Sequence, residues 1–139
     1  MYPNAFDYYR AASVPDAIAL LQEHPDAKLI AGGHSLLPMM KLRLVSPPAL
    51  IDLGGIPGLS GIREAADAIV IGAATTYDEL MNSEIITEAL PMIAEAATVV
   101  GDVQVRNRGT IGGALAHAVP ASDMPAVILA LGATLKVVG

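Results

Sequence analysis

The sequence predicts a mixed fold of short strands and helices arranged as two small lobes, on three observations. Apolar runs of strand length alternate with stretches of helical period, and a Gly/Pro-dense connector interrupts the chain at residues 54–61. Two apolar segments also break into glycine pairs, Gly32-Gly33 and Gly112-Gly113. At 139 residues the chain is long enough to bury a core, as one domain or as two lobes.

Taken in order, FDYYR (6–10) is the first strand candidate. In SVPDAIALLQEHPD, Ser13 can cap a helix on which Val14, Ala17, Ile18 and Leu21 recur at i, i+3, i+4 and i+7, and Pro25 ends it. AKLIA (27–31) reads as a buried strand running into Gly32-Gly33, after which LLPMMKLRL takes a helical rhythm. ALIDL (49–53) is another strand, and the connector GGIPGLSG sets a boundary near Gly54, giving lobes 1–54 and 55–139.

GIREAADAIVIGAATT then predicts two strands about a tight turn. Thr76 can cap a helix in TYDELMNS, and LPMIAEAATVVG is a second helix with Pro91 at its start and Gly101 at its stop. After a loop at Thr110, MPAVILALG is a helix ended by Gly132, and ATLKVVG alternates like a strand. The chain stops in or just after that strand without a cap, so a fragment, or a chain completed by something else, is expected.

Composition narrows the function. Apolar residues make up 53%, with one Phe and no Trp, so the core is aliphatic and an aromatic stacking platform is not expected. A net charge of −6 with only eight Lys and Arg argues against nucleic acid, whose phosphates need basic stripes. The most apolar region, 109–135, is interrupted by His117, Pro120 and Asp123, so no membrane span is predicted. MYPNAFDYYR lacks the basic and apolar regions of a secretory signal, and a cytoplasmic location is expected. Without cysteine the chain cannot itself hold an iron–sulfur cluster by thiolates.

The glycine pairs carry the chemistry. Glycine reaches positive φ and lets successive N–H groups converge on an anion, to which a following helix N-terminus adds partial positive charge. Either pair alone also reads as a tight turn, but two pairs with flanking hydroxyls, Ser35 and Thr110, are more specific. Neither GxGxxG nor GxxxxGK[ST] is present, which disfavours Rossmann and P-loop readings. His34 suits a base, a phosphate donor or a plain surface residue; it forms no triad with Ser35, and no histidine has ligands at metal spacing. Asp123 reads either as a helix N-terminal residue or as an acceptor for ligand hydroxyls. Arg106 and Arg108 read as solvated arginines, or as groups that balance a diphosphate or meet a partner. Met39-Met40 reads as core.

Together, AGGHSLLPMMKLRL and VRNRGTIGGALAHAVPASDMPAVILALGA resemble the flavin-binding medium subunit of molybdenum hydroxylases, the carbon monoxide dehydrogenase and xanthine dehydrogenase family. FDYYRAASVPDAIALL and DLGGIPGLSGI fit it too, so the resemblance covers the whole chain. It implies a two-lobed α+β fold of the PCMH type, like that of the vanillyl-alcohol oxidase relatives, with FAD between the lobes. The second lobe is then incomplete and the family's C-terminal domain absent. The carried-over FAD contacts are Lys28, Leu29, Ile30, Ala31, Gly32, Gly33, His34 and Ser35 in the first motif, and Thr110, Ile111, Gly112, Gly113 and Ala114 in the second, with Asp123 facing the flavin's polar groups. Many relatives have Asn or Ser where Ala114 stands, and a polar residue where Val119 stands, which implies fewer side-chain hydrogen bonds to FAD here.

Electron transfer follows as the implied function: from a molybdopterin large subunit through a [2Fe-2S] small subunit to this FAD and on to an external acceptor. No catalytic side chain is required of this chain, because the flavin carries the redox chemistry. The alternatives are a truncated assembly lobe that retains no flavin and a stand-alone flavin oxidase.

Overall fold

The computed structural model describes residues 1–139. The chain divides into two compact units, Met1–Pro57 and Gly58–Gly139, and the expected boundary at Gly54 lies inside the first.

The first unit is a three-stranded parallel sheet with two helices. Its strands are β1 (Asp7–Arg10), β2 (Lys28–Ile30) and β3 (Ala49–Asp52), in spatial order β1-β3-β2, with Tyr8 opposite Leu50 and Leu29 opposite Ile51. The central strand β3 is apolar without alternation because Ala49, Leu50 and Ile51 are all buried, as a strand covered on both faces requires. Helix α1 (Val14–Glu23) begins where Ser13 Oγ accepts from the Asp16 N–H, and it buries Ala17. Past its end, His24 stacks on Tyr9 with ring centroids 4.4 Å apart. Helix α2 (Leu36–Lys41) drops Met40 into the core, whereas Met39, expected there too, is only half-buried.

The second unit opens with an antiparallel pair, β4 (Ile62–Glu64) and β5 (Ile69–Ile71), and continues as helices. Thr76 starts α3 (Tyr77–Met81) with a reciprocal capping box, its side chain bonding the Glu79 N–H while Glu79 reaches back to the Thr76 N–H. Helices α4 (Glu84–Ala89), α5 (Pro91–Val99), α6 (Val103–Arg106), α7 (Ile111–His117) and α8 (Asp123–Ala130) follow. Their apolar faces meet in one core of Tyr77, Leu80, Ile86, Ile93, Ala94, Ala97, Ile111, Met124 and Ile128. Gly101 and Gly132, both at positive φ, stand beyond the ends of α5 and α8 as the sequence predicts.

Four local expectations are corrected. AKLIA, expected as a buried strand, forms the edge strand β2, with Lys28 and Leu29 exposed. Helices α4 and α6 form where none was assigned; Ser83 and Asp102 cap them with side-chain bonds to the N–H groups of Ile86 and Val105. The expected loop after Thr110 is helix α7. ATLKVVG forms no strand: no other segment pairs with it, and Leu135, Val137 and Val138 are exposed. No helix is long and apolar enough to cross a membrane.

Candidate functional site

The first motif is an open backbone cradle. Strand β2 delivers Lys28, Leu29 and Ile30 to its edge, the chain leaves the sheet at Ala31, and Gly33 turns it at φ +78°, a conformation that disfavours any side chain. The backbone N–H groups of Gly32, Gly33, His34 and Ser35 donate to no group of the chain, whereas the Gly33 carbonyl accepts from the Leu37 N–H at 2.9 Å. Four successive donors without partners, leading into a helix, are the groups by which a backbone holds an anion. His34 Nδ1–H donates to the Gly32 carbonyl at 3.0 Å, so this ring side braces the loop. Ser35 stands at the N-cap of α2 without a side-chain bond to the helix, leaving its hydroxyl available.

The second motif is built differently, and here the anticipated anion loop gives way to a packed helix start. Thr110, only 6% exposed, caps α7, its Oγ accepting from the Gly113 N–H at 3.2 Å. The Ile111 N–H donates to the Thr75 carbonyl, the Gly112 N–H to the Ala73 carbonyl, and the Ala114 N–H to the Thr110 carbonyl. No backbone donor of Ile111 to Ala114 is therefore left for an anion. Gly112 is glycine for a packing reason: a Cβ there would lie 2.6 Å from both Cβ and O of Ala73. The next pair member has more room, since a Cβ on Gly113 would meet only Thr110 Oγ, at 2.8 Å.

Asp123 is the first residue of α8, exposed, with its carboxylate in no hydrogen bond of the chain. Tyr77, which the sequence reading does not single out, lies nearby in the same core as Met124. Its N–H donates to the Gly109 carbonyl at 3.1 Å, and its ring packs so closely on Gly109 that a Cβ there would sit 2.8 Å from Tyr77 Cε2. Burial, and behind it the negative charge of Asp123, hold the Tyr77 phenol above its ordinary pKa of 10.0. Arg106 is spent structurally: its guanidinium faces the carbonyls of Thr98, Val100 and Gly101 at 3.2–3.4 Å, closing the end of α5. Arg108 remains exposed.

The family model described as the FAD binding domain in molybdopterin dehydrogenase matches residues 4–139. This chain belongs to that family. It is similar to the carbon monoxide dehydrogenase medium chain of Hydrogenophaga pseudoflava, 54% identical over 134 residues, covering 96% of this chain and 47% of that one. It is similar too to the carbon monoxide dehydrogenase medium chain of Afipia carboxidovorans, 46% identical over 140 residues, covering 100% of this chain and 49% of that one. Among solved structures, reconstituted CO dehydrogenase from Oligotropha carboxidovorans superposes with a TM-score of 0.92 at 47% identity, covering 95% of this chain and 46% of that one. The chain thus spans about half the length of these relatives and has their α+β fold. FAD is the cofactor of the family, and the Gly32–Ser35 cradle, with its unengaged donors, fits the diphosphate of such a group.

Proposed function

We propose that this chain is the flavin-holding part of an electron-transfer subunit of a molybdenum hydroxylase. What carries the reading is the run of four unengaged N–H donors at Gly32 to Ser35, in a chain matched from residue 4 to residue 139 by an FAD-binding family.

The role of each group follows from its surroundings. The backbone of Gly32, Gly33, His34 and Ser35 binds the diphosphate, and glycine at position 33 permits the φ of +78° that turns the chain there. Lys28 to Ile30 anchor that loop to the sheet, and Ala31 leads into it. Thr110 to Ala114 act as a rigid surface: their donors are engaged internally, so they offer the flavin contact area and the Thr110 hydroxyl proton, and no amide cradle. Asp123 accepts from ligand hydroxyls. When bound, the flavin supplies the redox chemistry, taking electrons from [2Fe-2S] clusters of a small partner subunit fed by a molybdopterin large subunit and yielding them to an external acceptor. The protein's share is to bind, orient and exclude water.

The test is direct. The purified chain, mixed with FAD and dialysed, is expected to keep a visible flavin spectrum and to be reduced only when iron–sulfur and molybdopterin partners are added with substrate. A folded chain that releases all flavin supports the assembly-lobe reading instead. Reduction by a small substrate with no partner present supports a stand-alone oxidase.

A further inference from the structure

We propose that the Tyr77 hydroxyl is a further ligand-binding group of the flavin site, donating a hydrogen bond to a polyol hydroxyl of the cofactor whose own proton is accepted by Asp123. The inference deepens the FAD reading and rests on it.

Tyr77 is 6% exposed, and its ring is locked between the core of the second unit and the backbone of Gly109, immediately before Thr110. Thr76 forms an isolated bridge with Thr110, so the start of α3, where Tyr77 stands, and the start of α7 are fixed to each other. The hydroxyl nevertheless makes no hydrogen bond in the chain, and it is not among buried polar atoms lacking a partner, so it reaches the surface. A tyrosine that buries its ring and leaves its O–H unsatisfied at a surface presents a donor fixed in place, because only one torsion remains free to aim it. The charge it senses there is Asp123, whose carboxylate is likewise unengaged. A fixed neutral donor within the field of an anionic acceptor suits a group that both accepts and donates, which is the chemistry of an alcohol. A carboxylate or phosphate would be repelled by Asp123, and an apolar edge would leave both groups unsatisfied.

The experiment is a double-mutant cycle on the whole chain, with FAD affinity read by flavin fluorescence and folding by thermal melting at neutral pH. Tyr77→Phe keeps the ring and is expected to weaken FAD by about fivefold to tenfold with an unchanged melting temperature. In the Asp123→Ala background, which has no acceptor, the same change is expected to cost less than twofold, because the shared hydroxyl is already lost. Phenolate absorbance supplies a second readout on the unaltered chain: the last of its tyrosines to ionise is expected to titrate at higher pH once FAD is bound. Equal FAD affinity for wild type and Tyr77→Phe, or a tyrosine titration indifferent to FAD, overturns the assignment and leaves the FAD reading standing. A wild-type chain that binds no FAD overturns both.

Discussion

At the scale of single residues, Gly33 and Gly58 share a backbone conformation and differ in their surroundings. Both hold positive φ, +78° and +75°, so alanine at either strains the backbone by a similar amount, about 1 kcal/mol. A Cβ at Gly33 also comes within 3.0 Å of Leu37 Cδ1 and one at Gly58 meets nothing, so Gly33→Ala is expected to lose more stability and, by shifting the loop, most FAD affinity, whereas Gly58→Ala keeps its affinity; equal FAD affinity in the two folded variants contradicts the cradle. Asp123→Ala removes an exposed charged acceptor and is expected to weaken FAD by about 1 kcal/mol, measured by the same fluorescence titration. Ala118 ends α7 in the left-handed region at φ +49°, where its Cβ is unfavourable. Ala118→Gly is therefore expected to stabilise the chain by about 0.5–1 kcal/mol in urea unfolding.

At the scale of elements, the two glycine pairs, so similar on paper, do different work. The first pair lies in a loop whose donors are free, the second in the first turn of a helix whose donors are taken. Gly112→Ala drives a Cβ into the backbone of Ala73 and is expected to cost about 1–3 kcal/mol in stability, losing flavin only through unfolding. Gly113→Ala meets a single side-chain oxygen and is expected to melt several degrees higher than Gly112→Ala. Sequence reading could have found α7, since Thr110 is a good N-cap and Ile111 and Leu115 stand four apart; the glycines hid it because their helix propensity is poor. Helix α4 was legible too, in Ser83 followed by Glu84, Ile85 and Ile86. The alternation of ATLKVVG, by contrast, signals only an ability to pair, and pairing needs a second strand.

At the scale of the whole molecule, alkaline stability exposes the buried phenol. Because the folded chain holds the Tyr77 proton more tightly than the unfolded chain, this stabilisation is fully present below the ordinary pKa of 10.0. It is lost as the pH climbs through the raised value. Melting temperatures from about pH 9 to about pH 11 are expected to fall more steeply for wild type than for Tyr77→Phe. Parallel slopes would show that the phenol ionises alike in both states.

The sequence by itself determined the local elements whose cause is local: the Ser13 and Thr76 caps, the apolar run of β3, and the glycine stops at Gly101 and Gly132. Its two spaced motifs also determined the family, because their residue types and order are specific beyond either glycine pair. Only the tertiary structure decided which backbone donors remain free. The N–H of Gly112 is engaged because Ala73, far away in sequence, brings its carbonyl there, and no such carbonyl approaches Gly32 to Ser35. It likewise decided the parallel order β1-β3-β2 and the meeting of Tyr77 with Gly109. These are contacts between distant residues, and hydrogen-bond satisfaction is set by what arrives from elsewhere in the chain, which no local pattern encodes.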